Sequence, residues 1–155
     1  MATISFKSVG KTPEKKTAEV TKKTPLPIGI KTPLQLSGKD GLLVMHYELD
    51  KQLSDNLKNL ILTNWGERLG QYYFGANLRP LTVEFSSQED FDNEAVVRIR
   101  DAVTRWMPFI DLVDFLSEVD RINNKSTGVI NITITYNIPA ININGKKLLV
   151  TLYVI

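Results

Sequence analysis

Hydrolysis of a glycosidic bond asks for only two carboxylates, about 5 to 9.5 Å apart. Glu67, Glu84, Asp111, Asp114 and Glu118 are nominal candidates for such a pair, as acidic residues are in any globular chain. Glu67, next to Arg68 in a Gly-rich stretch, is the least bland of them, and an ion-paired loop anchor is the plainer account of it. His46 is the only histidine and sits in an apolar stretch with no Ser or Asp placed beside it by sequence, which reads as structural. The absence of cysteine excludes disulfides, thiolate zinc sites and cysteine nucleophiles. There is no P-loop, no Gly-x-Gly-x-x-Gly and no Gly-x-Ser-x-Gly. No acid–base constellation emerges, so the expectation is a chain with no catalytic residues, no cofactor and no metal, with a glycosidase as the alternative.

The elements that would position any site must come from 155 residues, 43% of them apolar and 23% charged. That is enough for one domain, or one domain with an appendage, and needs no metal or disulfide to hold a core. A cysteine-free chain suits a reducing compartment. The N-terminus lacks the apolar run of a secretory signal, and no apolar stretch approaches the length of a bilayer span, so a soluble chain is expected.

Net charge is +2, unevenly placed. Residues 1–40 carry eight Lys against Glu14, Glu19 and Asp40, whereas residues 41–155 carry eleven Lys and Arg against fourteen acidic groups. The basic part is also rich in proline (Pro13, Pro25, Pro27, Pro33) and follows neither helical nor strand periodicity. Residues 1–40 therefore read as an extended basic arm. With no Arg and one aromatic, Phe6, it is poorly equipped to hold nucleic acid. Interleaved Leu, Ile and Pro suit ordering on a protein partner, and a solubilising tail accounts for them as well.

Residues 41–155 read as the folded body. The stretch 41–47 is a short strand or extended lead-in. Asp50 is the expected N-cap of a helix over 51–64, with Leu53, Leu57, Leu60 and Ile61 as one apolar stripe. Residues 66–87 read as an ordered loop. A second helix is expected over 93–106, with Val96, Ile99, Val103 and Trp106 buried and Pro108 ending it. Residues 109–116 are β-prone, and in 129–136 Asn131, Thr133 and Thr135 alternate with Ile130, Ile132 and Ile134, the pattern of a half-buried strand. Asn144-Gly145 is a turn signal, followed by a last strand over 148–155. The fold class is α+β: two main helices packed on a mostly antiparallel sheet. An apolar strand at the chain end must be central or paired with another chain.

The order of features resembles a specific family. An amphipathic helix leads into Asn59-Leu60-Ile61-Leu62-Thr63-Asn64-Trp65-Gly66-Glu67-Arg68, and Phe74-Gly75 follows. After an acidic-led helix comes Arg105-Trp106-Met107-Pro108-Phe109-Ile110. Over about 42–139 this resembles the sheath-initiator family of contractile injection machines, which includes the small baseplate wedge protein of contractile-tailed phages and type VI secretion relatives. The family loop, Gly-x-Arg, a spacer, then Phe-Gly, is met by Gly66, Arg68, Phe74 and Gly75, with Glu67 at the variable position. In that loop Arg68 is placed to tie carbonyls or carboxylates together, and Phe74 to pin the loop to the core.

The resemblance implies a structural component of a tail baseplate, located in the virion and assembled in the host cytoplasm. Its implied partners are wedge and core-bundle proteins, the tail sheath and the tail tube, in six copies, with neither nucleic acid nor membrane. The first sheath ring would add its arms by strand augmentation to the last strand: Leu148, Leu149, Val150, Thr151, Leu152, Tyr153, Val154 and Ile155. Many members carry Glu-Pro-Arg after the second long helix and use it to bind the central helical bundle. Here Met107, Pro108 and Phe109 occupy that position, so either the contact has become hydrophobic or docking lies elsewhere. Relatives are also labelled lysozyme-like, and no residue pair in this sequence supports that label.

Overall fold

A computed structural model describes residues 26–38, 41–84, 87–121 and 128–154. Most of the arm, residues 1–25 and 39–40, lies outside these, as does Ile155.

Helix α1 runs over Leu49–Leu62 and buries Leu57, Leu60 and Ile61, with Leu53 packed at the margin of the core. It starts ahead of Asp50. The N-cap is Glu48, which makes no side-chain cap bond, and Asp50 lies in the first turn instead. There its carboxylate meets the positive end of the helix and also accepts from Lys146 Nζ at 2.8 Å, tying α1 to a strand far along the chain. The expected loop 66–87 contains a single helical turn, α2 (Leu81–Glu84), entered through Pro80 and anchored by a fully buried Leu81.

Helix α3 spans Gln88–Trp106, beginning earlier than the expected 93. Ser87 is the reason: it caps the helix, accepting from the Asp90 backbone N–H, and its hydroxyl donates to the Asp90 carboxylate. The fully buried stripe is Phe91, Ala95, Ile99, Ala102 and Val103, and the expected Val96 and Trp106 flank it, half-buried.

Three antiparallel strands follow: β3 (Asp111–Arg121), β4 (Gly128–Ile138) and β5 (Ile143–Val154), numbered after the short N-terminal pair β1 (Gly29–Ile30) and β2 (Met45–His46). β4 lies between β3 and β5. Ile132 pairs with Ser117 on one side and Val150 on the other. Alternation holds along β4, with Ile130, Ile132, Ile134, Tyr136 and Ile138 buried, and these share one core with the apolar stripes of α1 and α3. The described residues form an α+β fold with three helices and antiparallel sheets.

The turn between β4 and β5 is not at Asn144-Gly145. A short 3-10 turn, Pro139–Ile141, closes the hairpin, and Asn142 takes the left-handed conformation at its end (φ 54°). Asn144 and Gly145 lie inside β5 as a bulge where the register shifts between Tyr136 and Ile138. Gly145 supplies φ 65° there, and its N–H donates to Asn137 Oδ1 at 2.7 Å. Both Asn–Gly turns and glycine bulges need positive φ, so the dipeptide alone does not separate them.

Part of the arm pairs with the body. β1 and β2 are antiparallel, Ile28 N–H donates to the His46 carbonyl at 2.7 Å, and Leu36 bridges Leu43. His46 Nε2 and the Thr32 N–H both meet Asp55 Oδ2, at 2.7 and 2.9 Å, so one carboxylate on α1 holds both strands of this hairpin. Leu26, Leu34 and Leu36 remain exposed.

Candidate partner-docking site

A helix ends with carbonyls that have no partner within it. At the end of α1 these are met by the loop that follows. Ala76 N–H donates to the Leu60 carbonyl and Asn77 N–H to the Thr63 carbonyl, while Thr63 N–H and hydroxyl both donate to the Asn59 carbonyl. Within the loop, Gly66 (φ 84°) donates its N–H to the Tyr72 carbonyl at 2.8 Å. Trp65 Nε1 donates to the Gly75 carbonyl at 3.2 Å. Arg98 of α3 reaches the Asn77 carbonyl at 2.9 Å and fixes the loop to the second long helix.

Glu67 is a staple inside this loop, since its two carboxylate oxygens accept from the Asn64 side-chain amide and backbone N–H at 2.9 and 2.8 Å. Those bonds, with Arg79 nearby, hold its carboxyl below the usual glutamate value. Arg68 differs from expectation. Among the described residues it ties neither a carbonyl nor a carboxylate. Its guanidinium lies over the Phe74 ring, 4.2 Å from the centroid, and Phe74 in turn meets the edge of Trp106 at 5.2 Å. Phe74 packs against the core cluster.

Met107, Pro108 and Phe109 form the turn that leaves α3. Met107 N–H closes the helix onto the Val103 carbonyl, and Ile110 N–H returns to the Met107 carbonyl at 3.0 Å. Pro108 suits the second position of such a turn. The turn buries Met107 and Ile110 on either side and leaves Phe109 42% exposed. This places Phe109 against the loop: a groove of about 680 Å³ is walled by Asn59 of α1, by Arg68 and Phe74, and by Trp106, Met107 and Phe109. Two motifs distant in sequence thus share one surface feature.

The last strand lies elsewhere. β5 is at an edge of the sheet, and among the described residues no backbone hydrogen bond leaves its outer side. Leu148 and Val150 face the core, whereas Leu149 and Tyr153 are exposed on the opposite face, and Thr151 hydrogen-bonds Asn131 across the strands at 3.1 Å. Leu152 is half-buried and packs against the core. The other edge, β3, carries Asp111, Asp114 and Glu118 and is bulged between Leu112 and Asp114. Charges and bulges blunt an edge. From Leu148 to Val154, β5 has no charge, no proline and no register shift.

Asp114 and Glu118 lie four residues apart along β3, about 13 Å in an extended strand, and Glu67 is committed to Asn64. Among the described residues no three of His, Asp and Glu converge to hold a metal ion, and no helix is long and apolar enough to cross a membrane.

One feature was not singled out from sequence. Trp65, Tyr72 and Tyr73 form an exposed edge-to-face aromatic string, with centroids 5.7 and 5.0 Å apart, beside a fully exposed Leu69. The signal was present as Trp65 and the Tyr72-Tyr73 pair in a loop otherwise rich in glycine.

No protein-family profile and no curated protein sequence matches the chain. Solved structures do. A chain of the anti-feeding prophage baseplate, determined by cryo-EM with six-fold symmetrisation, superposes with a TM-score of 0.56 at 18% identity, over 70% of this chain and 82% of that one. A Geobacter sulfurreducens protein described as a candidate tail lysozyme superposes with a TM-score of 0.54 at 17% identity, over 72% of this chain and 96% of its own. What is shared is the fold. A chain of the postcontraction pyocin R2 baseplate aligns more loosely, at a TM-score of 0.46.

Proposed function

We propose that the protein is a structural component of a contractile-tail baseplate that attaches to the wedge and initiates sheath assembly around the tube by strand augmentation on β5. The observation that carries this reading is the contrast between the two sheet edges. β3 is acidic and bulged, and β5 from Leu148 to Val154 is uncharged, regular and unpaired on its outer side among the described residues. An added strand would draw affinity from main-chain ladder bonds and register from the alternation of Leu149, Thr151 and Tyr153 with inward-facing neighbours. The shared fold with a chain of the anti-feeding prophage baseplate supports the setting, and the six-fold symmetry of that particle supports six copies. In this reading the protein resides in the tail baseplate, and its partners are wedge and core-bundle proteins, sheath and tube.

The role is assembly without catalysis. A glycosidase needs a carboxyl raised enough to donate a proton near neutral pH. Glu67, the least bland candidate by sequence, is held in the opposite direction by Asn64. The test is co-purification of the tagged chain from cells expressing the neighbouring tail genes. Recovery of wedge and sheath proteins is expected. A chain that elutes alone, as a monodisperse monomer, contradicts the proposal.

A further inference from the structure

The two long helices share one core with the inward side chains of β4, so α1 and α3 lie on the same face of the three-stranded sheet. The opposite face is open: Leu116 is 54% and Leu149 58% exposed there. Register sets what this face presents. Asp114 of β3, Thr135 of β4 and Lys147 of β5 stand in one row across the strands, and Leu116, Thr133 and Leu149 form the next. Glu118 stands one row further along β3. One margin of the face is therefore acidic and the other carries a lysine, with a leucine on each side of a central column of threonine. Asp114 and Lys147 cannot meet within the chain, because two strand spacings, about 10 Å, separate them. Neither has an ion-pair partner among the described residues.

Such a face fits a second copy of itself in one orientation and rejects the other. Two identical sheets packed face to face are related by a two-fold axis lying between them. With the axis across the strands, acidic β3 lies over acidic β3, and Asp114 comes against the second copy's Glu118 when the leucine rows coincide. With the axis along β4, β3 of one copy lies over β5 of the other. Asp114 then meets the second copy's Lys147, Leu116 meets its Leu149, and Thr133 meets Thr133 on the axis. The short threonines let the sheets approach to the usual spacing of about 10 Å.

We propose that the free chain forms a two-fold dimer through this open sheet face, with Asp114 of each copy paired to Lys147 of the other and Leu116 packed on Leu149. The inference goes beyond the baseplate reading and does not depend on it, since it uses the face of the sheet and not the edge of β5. The patch is three strands wide and about six residues long, roughly 14 by 20 Å, which is small for a permanent dimer. The dimer is accordingly weak: it dissociates in the dilute solutions used for denaturation and forms as the chain is concentrated. The leucine contacts supply affinity, and the charges fix the orientation.

Sedimentation equilibrium of the full-length chain over a range of concentrations tests this. The unsubstituted chain should pass from one copy to two. Asp114→Lys and Lys147→Asp should each weaken self-association tenfold or more, because each sets like charges against one another at both ends of the two-fold. Mixed together, the two variants should associate with each other, since every facing pair is then opposite in sign. Both substitutions in one chain should restore the dimer. As both side chains are exposed, thermal melts of the variants should match the unsubstituted chain. The chain has no cysteine, so a short thiol crosslinker adds an independent measure: it should join Thr133→Cys chains in pairs and leave Val97→Cys chains, altered on exposed α3 surface, single. An unsubstituted chain that stays monomeric at every concentration overturns the proposal, as does a mixture of the two charge variants that fails to associate. Stronger association of Asp114→Lys, now opposite Glu118, would also overturn it in favour of the crossed orientation. None of these results touches the β5 edge, so the baseplate reading stands or falls separately.

Discussion

The carbonyl oxygen of Thr63 and the α-carbon of Gly75 are so close that a Cβ on residue 75 would stand 2.1 Å from that oxygen. Gly75 also has φ 108°, a region that side chains avoid. The glycine of the Phe-Gly motif is thus required twice, by contact and by backbone conformation. It lets the loop press flat on the end of α1, where Ala76 and Asn77 complete the helix's carbonyls.

Gly75→Ala is therefore expected to destabilise the protein by about 2–4 kcal/mol, because the Thr63 backbone must shift and the adjoining hydrogen bonds weaken. Urea denaturation followed by circular dichroism measures this. A loss below about 0.5 kcal/mol, the range of an ordinary surface change, would contradict it.

The two faces of the sheet should respond in opposite ways. Ile132 is fully buried at the centre of β4, so Ile132→Ala should cost about 2–5 kcal/mol. Leu149, which is 58% exposed on the outer face, should tolerate Leu149→Ala within about 0.5 kcal/mol. Equal losses at both sites would mean that the outer face is covered in the isolated chain.

The contrast between those two residues shows what could be seen in the sequence. Alternation in β4 and the stripe of α1 follow from periodicities of 2 and 3.6, which are local, and both hold in the structure. Where the structure departs from local pattern, a distant partner decides. Asp50 resembled an N-cap until Lys146 claimed it, and Gly145 resembled a turn until the register of β4 made it a bulge. For Arg68 the sequence offers loop carbonyls and carboxylates as partners, and only the structure shows that its guanidinium lies over the ring of Phe74 six residues on. The groove between Arg68 and Phe109 was not legible at all, because it exists only once the turn at Pro108 brings the end of α3 against the loop.

Asp55 gives the fold a pH dependence at its arm. Burial alone would push its carboxyl up, but hydrogen bonds from His46 and from the Thr32 backbone and side chain outweigh this and hold it below the usual aspartate value. A carboxyl depressed in the folded state stabilises above its unfolded pKa, about 3.9, and that contribution is lost as pH falls through the folded value. Asp55→Asn should thus cost about 1–2 kcal/mol at pH 7, and the gap to the unsubstituted chain should close as pH falls below about 4. Denaturation at pH 7 and at pH 2.5 checks this, and an equal gap at both would contradict it. Hydrogen exchange at Ile28 and Lys31, whose N–H groups bond the β2 segment, should speed up in the variant at pH 7.

Catalysis is tested with Glu67→Gln. In a turbidity assay on purified cell walls neither this variant nor the unsubstituted chain should produce clearing. Clearing by the unsubstituted chain that disappears in the variant would establish a glycosidase.

The central claim is that the outer edge of β5 receives the first sheath strand. Removing the strand would not test it cleanly, because Leu148 and Val150 are part of the core. Leu149 and Tyr153 are exposed, and lysine at both positions opposes strand addition while leaving the inner face untouched. The most direct measurement is electron microscopy of particles assembled with Leu149→Lys/Tyr153→Lys in place of the natural chain. The account predicts baseplates that contain the variant and carry tube but no ordered sheath. Baseplates with the variant and a sheath of normal length would contradict it.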